Sequence, residues 1–97
     1  MSIKFELGQL VATRGVADLA MENKEFYAFV NDSIKRYVSG DWGEMAKEDK
    51  TMNDEAVSSG EDRIHASYTN PTHSNWKIWI ITEWDRSVTT VLFPSEY

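Results

Sequence analysis

The spacing of apolar residues changes from three-and-four to two in the last third of the chain, and this change limits the fold more than any other feature. In the segment Trp76–Trp84, successive side chains alternate between the two faces of a strand, and each face carries apolar side chains. A strand of this kind is central in its sheet and needs cover on each face. Residues 63–69 and 88–93 alternate on either side, separated from it by short polar turns. The pattern predicts an antiparallel β-meander from Arg63 to Phe93.

The first half of the chain has helical spacing instead. Apolar residues recur every three or four positions after Asn23, which predicts an amphipathic helix that Asn23 caps and Gly40 ends. Thr13 is a cap for a shorter helix over Gly15–Glu22. A third, mostly polar helix is predicted over Lys47–Ser58, and its thin apolar face places it on the surface.

Helices followed by three sequential strands predict an α+β fold. The N-terminal helices pack on one face of a C-terminal three-stranded antiparallel meander, and the segment from Phe5 to Ala12 is a candidate fourth strand. Ninety-seven residues make one domain, residues 1–97.

Composition excludes several kinds of site. The chain has no cysteine, which excludes disulfides, thiolate zinc sites and thiol nucleophiles, and fits a reducing cytoplasm. The N-terminus has no apolar signal segment, and the longest apolar run, Ile78–Ile81, is too short to span a membrane. His65 and His73 match no zinc spacing. We therefore expect a cytoplasmic protein with no metal, no cofactor and no membrane contact.

The net charge of −6 is confined to one segment. Residues 1–40 and 63–97 are each balanced, whereas residues 41–62 hold eight acidic side chains against Lys47 and Lys50. This balance argues against direct nucleic-acid binding through a general basic field. The acidic segment is either a solvated helix face or a patch that meets a basic partner or imitates phosphate.

The densest polar cluster lies at the second turn of the meander. Pleating places Glu83 and Asp85 on one face, which Arg63 and His65 can share, and Arg86 completes this polar corner. One interpretation is catalysis, with His65 as base, Glu83 as acid and Arg86 as phosphate clamp. The other is structural, with ion pairs Arg86–Asp85 and Arg63–Glu83. No phosphate-binding glycine loop or nucleophile elbow is present.

Tryptophan is abundant, with four residues in the chain. Trp79 and Trp84 alternate to opposite faces, so one buried face cannot hold both. Exposed aromatic side chains on a sheet are typical anchors for a protein partner. The alternative is that helices cover one face and the N-terminal segment part of the other. The candidate partner-binding residues are Asp41, Trp42, Glu48, Asp49, Asp54, Glu55, Trp79 and Trp84.

Three segments carry a resemblance to a known family. They are GDWG from Gly40, IWIITEWDRSVTT from Ile78 and LFPSEY from Leu92. On these, the chain resembles a family of small "plasmid-related" proteins found in bacteria and on plasmids and other mobile elements. The resemblance implies a setting on bacterial mobile elements rather than a reaction. It also marks the polar corner and the Asp41-Trp42 turn as family features.

Three functions follow as hypotheses, and we expect a non-enzyme. The first is a cytoplasmic accessory protein of a mobile element that binds another protein with a basic surface, for example to inhibit a host defence nuclease in the manner of anti-CRISPR or anti-restriction proteins. The second is an antitoxin-like regulator that pairs through an exposed sheet edge. The third is a small ribonuclease or toxin that uses His65, Glu83 and Arg86.

Overall fold

The structure, a computed structural model, describes residues 4–97. It confirms the α+β class, with helices in the first part of the chain and a sheet completed by the last part. The elements are β1 (Gln9–Ala12), α1 (Arg14–Glu22), α2 (Lys24–Val38), α3 (Lys47–Ser59), β2 (Ile64–Thr69), β3 (Lys77–Thr82), β4 (Val88–Leu92) and a C-terminal 3₁₀ turn (Pro94–Glu96).

The four strands form one sheet in the order β1-β4-β3-β2. β2, β3 and β4 pair antiparallel, so the predicted meander and its central strand are confirmed. The N-terminal segment does add a fourth strand, but β1 runs parallel to β4, which the sequence did not indicate. Gly8 makes this approach feasible, since a Cβ on it would lie 2.2 Å from the carbonyl oxygen of Arg86.

The helices cover one face of the sheet. Ile64, Ala66, Ile78 and Ile80 point into this face and are fully buried, because residues two apart in a strand share a face. The predicted cap of α2 is confirmed: Asn23 Oδ1 accepts a hydrogen bond from the Phe26 N–H at 3.1 Å. None of the helices formed by residues 4–97 is long and apolar enough to cross a bilayer.

A buried chain of hydroxyl groups crosses this core. Thr89 Oγ1 donates to the Leu7 carbonyl at 2.7 Å, so it accepts from Thr82 Oγ1, also at 2.7 Å. Thr82 then accepts from the Tyr37 hydroxyl at 2.7 Å. Each hydroxyl hydrogen therefore has an acceptor, and burial raises the Tyr37 pKa. Thr82 and Thr89 flank the hairpin of the polar corner in the sequence, but both side chains belong to the helix-covered face.

The other face of the sheet, which we call the open face, carries no helix. Its side chains include Ile81 and Leu92, each only 5% exposed. The 3₁₀ turn packs beside β3, and the Tyr97 ring meets Trp79 with centroids 5.6 Å apart. Among residues 4–97, partial cover of this face thus comes from the C-terminal segment and not from the N-terminal one.

The helix α3 lies along the outer edge of β2. Its Asn53 side chain behaves like a neighbouring strand: Nδ2 donates to the His65 carbonyl at 2.8 Å and Oδ1 accepts from the His65 N–H at 3.3 Å. Further along, the Glu44 N–H donates to the Ser67 carbonyl at 2.7 Å and the Ser67 N–H donates to the Trp42 carbonyl at 3.4 Å. This edge is therefore closed.

Candidate functional site

Arg86 holds the polar corner together through main-chain oxygens. Its guanidinium donates to the carbonyls of Ala56 at 2.8 Å, Asp62 at 2.6 Å and Trp84 at 3.1 Å, with longer contacts to two more. Both terminal nitrogens of the guanidinium are engaged in this way. The bonds fasten the hairpin between β3 and β4 to the last turn of α3 and to the loop that follows it. The role of phosphate clamp therefore has no support in the geometry.

The two ion pairs considered for this corner do not form among residues 4–97. Asp85 instead accepts a hydrogen bond from the Ser87 N–H at 3.0 Å, which stabilises the turn. The Ser87 side chain, and after it the Ser87 N–H, lowers the Asp85 pKa. Arg63 remains exposed and stacks on an aromatic ring instead of meeting Glu83.

The three candidate catalytic residues do not share a cavity. His65 lines a surface hollow of about 440 Å³ together with Asp49, Met52 and Arg63. Glu83 lines a different hollow of about 260 Å³ on the open face. Arg86 lines neither of them. The arrangement needed for acid–base chemistry on one phosphate is thus not assembled.

Asp41 and Trp42, predicted to bind a partner, have internal roles instead. Trp42 is 4% exposed, and its Nε1–H donates to Asp54 Oδ1 at 2.9 Å. Asp41 accepts two hydrogen bonds from Arg36, at 2.7 and 3.3 Å, which lower the Asp41 pKa. A buried indole offers no surface for docking, so the prediction for Trp42 is wrong. The Trp42 indole packs in the apolar core, where its ring contacts the rings of Phe5 and Tyr37.

The acidic side chains of α3 face solvent. Glu48, Asp49 and Glu55 are exposed, and no cation lies within 4.0 Å of them among residues 4–97. Asp54 is also exposed, although one of its oxygens accepts the Trp42 hydrogen bond. The helix contributes only Asn53 and Ala56 to the buried interior. Most of its circumference is therefore exposed to solvent, and these carboxylates form an acidic surface on it.

Four side chains on the open face form a continuous cluster, which we call the Arg63 cluster: Arg63, His65, Trp79 and Tyr97. The His65 and Trp79 rings meet edge to face with centroids 4.7 Å apart. Tyr97 follows at 5.6 Å from Trp79, and the Arg63 guanidinium lies 5.6 Å from the centre of the Tyr97 ring. Arg63 and Tyr97 are exposed, and His65 and Trp79 are partly exposed.

The surroundings of His65 favour its neutral form. Burial lowers its pKa, and the neighbouring Arg63 charge lowers the pKa further, while Asp49 opposes them. His65 Nε2 and the Ser67 hydroxyl oxygen are buried without a hydrogen-bond partner among the described residues. The base of the cluster thus holds two buried polar atoms beside the Trp79 ring, and the charged Arg63 lies at the rim.

Trp84 stands apart from the cluster. It lies in the turn after β3 rather than in the strand, and it is 65% exposed. Sequence reasoning missed Tyr97 because the residue lies beyond the last strand and only the 3₁₀ turn returns it to the sheet. For Asn53, which shares a helix face with Asp49, the sequence suggests either capping or a helix–sheet hydrogen bond. The second is what forms, although the sequence does not indicate which strand edge Asn53 meets. Among residues 4–97, no three His, Asp or Glu side chains are grouped to hold a metal ion.

No protein-family model, curated protein or solved structure matches this chain. The resemblance to small plasmid-related proteins therefore stays a prediction.

Proposed function

We propose that this protein is a non-enzymatic binding domain that docks onto another protein through the Arg63 cluster. The observation that carries the proposal is the half-covered sheet: helices bury one face, while the other presents Arg63, Trp79 and Tyr97 in mutual contact. Tryptophan, tyrosine and arginine are the residues that most often dominate binding energy at protein interfaces.

The contacts within the cluster support this function physically. Each ring or guanidinium is already held by a neighbour, so less side-chain entropy is lost when a partner binds.

The partner is proposed to carry a basic rim. Asp49 lines the same hollow as Arg63 and His65, so the acidic surface of α3 begins beside the cluster. Unpaired exposed carboxylates at the edge of an interface mainly raise the association rate and select against acidic partners. The same charge disfavours nucleic acid as the ligand, in spite of the aromatic face.

The biological setting belongs to the proposal as well. The resemblance to plasmid-related proteins and the small size fit a cytoplasmic accessory protein of a bacterial mobile element. Inhibition of a host defence nuclease is the activity that such a protein would perform by binding alone. A ribonuclease is less well supported, because the Arg86 donors are committed to main-chain oxygens. An antitoxin-like regulator needs an exposed sheet edge. The β2 edge has no free main-chain groups at His65 and Ser67, so such pairing would have to use the β1 edge.

The test is quantitative capture by the tagged protein from lysate of a bacterial host, with two matched pairs of variants. Tyr97→Ala is compared with Tyr27→Ala, since both tyrosines are exposed but Tyr27 lies on α2. Arg63→Glu is compared with Arg14→Glu, since Arg14 is exposed on α1. We expect one protein to be lost with Tyr97→Ala and Arg63→Glu and kept with both controls.

A second arm tests the charge of the partner. Reversal of Glu48, Asp49 and Glu55 to lysine is expected to weaken capture and to reduce its dependence on salt. Asp54 is left unchanged because it supports Trp42. Capture that is equal for all variants, or absent for the wild type, would refute the proposed docking surface.

A further inference from the structure

The two edges of the sheet are treated differently, and the difference points to self-association. The outer edge of β2 is closed by Asn53 and by the main chain at residues 42 and 44. The opposite edge of the sheet is formed by β1. An unguarded edge strand is a template for pairing with another strand.

The main-chain groups of β1 alternate between the sheet and solvent. The N–H groups of Gln9 and Thr13 donate inward, to the carbonyls of Ser87 just before β4 and of Val91 within it, each at 3.0 Å. Leu10 and Ala12, which lie between them, therefore direct their N–H and C=O groups outward. Both residues are exposed, and the Leu10 side chain is 46% exposed. The strand has no charge, proline or bulge that would protect this edge.

We propose that two copies of this chain pair antiparallel through their β1 edges and form a continuous eight-stranded sheet. The proposal does not depend on the partner-binding function of the Arg63 cluster. A two-fold axis at Val11 places Leu10 of each copy opposite Ala12 of the other copy. Their four outward N–H and C=O pairs then supply four hydrogen bonds between the copies, and each exposed Leu10 gains a neighbour on the helix-covered side.

The distribution of charge favours a second copy as the occupant. The whole acidic excess lies in residues 41–62, on and beside α3 at the β2 edge. In the paired sheet the two β2 strands stand seven strand spacings apart, roughly 34 Å. That is about four Debye lengths at physiological salt, so the repulsion between two acidic surfaces is screened. β1 itself is uncharged, which removes any local repulsion.

The first experiment is sedimentation equilibrium of the full chain from about 1 μM to about 1 mM, the range in which a small interface associates. We expect a reversible shift from 11.2 kDa toward twice that mass. Leu10→Lys is expected to abolish the shift, because a charged residue guards an edge. Met52→Lys is the control, since Met52 is 65% exposed on α3 at the opposite edge. A single 11.2 kDa species throughout, or a dimer that survives Leu10→Lys, overturns the proposal.

The second experiment tests the register. The chain has no cysteine, so one introduced thiol reports alone. Val11→Cys places two thiols directly opposite at a non-hydrogen-bonded pair, where Cα atoms are about 4.5 Å apart and a disulfide forms readily. Gln9→Cys is the matched control, because in this register the two Gln9 positions lie roughly 13 Å apart. A covalent dimer with Val11→Cys alone supports the pairing, and equal yields from both variants contradict it.

Discussion

The Arg86 guanidinium donates a hydrogen bond to the Ala56 carbonyl at 2.8 Å, and this contact joins the β3–β4 hairpin to the last turn of α3. Further bonds to the Asp62 and Trp84 carbonyls complete the attachment. The hairpin itself turns through Arg86, whose φ is 61°. The helix α3 buries few residues, so its position depends on this one side chain more than on apolar contact.

Replacement of Arg86 by alanine is therefore expected to lower the free energy of unfolding by about 2–3 kcal/mol, because charged hydrogen bonds to several main-chain carbonyls are lost. Arg86→Gly separates the two contributions, since glycine adopts the positive φ without strain and should cost less than alanine. Arg14→Ala is the control and should change stability by less than about 0.5 kcal/mol. Urea denaturation measures all three, and an Arg86→Ala variant of wild-type stability would contradict this role.

Asn53 is the second residue on which α3 depends. Its side-chain amide fills the edge of β2 at His65, and it is 5% exposed. Asn53→Ala leaves a main-chain N–H and C=O without partners and is expected to cost about 1–3 kcal/mol. Asn31→Ala in α2 controls for helix propensity. Thermal unfolding and light scattering check the result: we expect a lower midpoint and earlier aggregation, since the β2 edge opens. Equal midpoints for the two variants would disprove the edge role.

The buried hydroxyl chain distinguishes the two faces of the sheet. Thr82 is fully buried between Tyr37 and Thr89, whereas Thr90 lies on the open face. Thr82→Val breaks the chain and is expected to lower stability by about 1–3 kcal/mol. The same change at Thr90 should stay within about 0.5 kcal/mol. If chemical denaturation ranks the two variants in the opposite order, the assigned orientation of the hydroxyl chain is wrong.

His65 should make stability depend on pH. Its folded pKa lies below the ordinary value of 6.5, so above about pH 6.5 both states are neutral and the stabilisation is complete. As the pH falls below 6.5, the unfolded chain binds a proton that the folded chain resists, and stability decreases until the folded pKa is passed.

The measurement is the unfolding midpoint between pH 8 and pH 5, compared between wild type and His65→Gln. We expect the difference in midpoint between the two proteins to change across this range, because only the wild type has a histidine that titrates at position 65. His73→Gln serves as the control. A pH dependence that persists in His65→Gln and disappears in His73→Gln would contradict this assignment and attribute the effect to His73.

Much of the fold followed from local pattern. The alternation between residues 76 and 84 predicted the central strand, and the spacing after Asn23 predicted α2 and its cap. These predictions succeeded because periodicity reports directly which side of an element is buried. The polar corner was less predictable. The sequence pointed to Arg86, but the partners of its side chain are main-chain oxygens of residues 24 and 30 positions away. No spacing rule indicates such partners.

The sequence by itself thus determined the order of the helices and of the meander strands, the central place of β3 and the location of the charge, since these depend on residues that are neighbours in the chain. The tertiary structure alone decided the parallel pairing of β1, the closure of the β2 edge by Asn53 and the return of Tyr97 onto Trp79. Each of these joins segments distant along the chain, and the physical reason is that shape and hydrogen-bond satisfaction in the folded state select the partner. Local sequence pattern predicted the meander, whereas the part of its surface that stays exposed depends on which parts the rest of the chain covers.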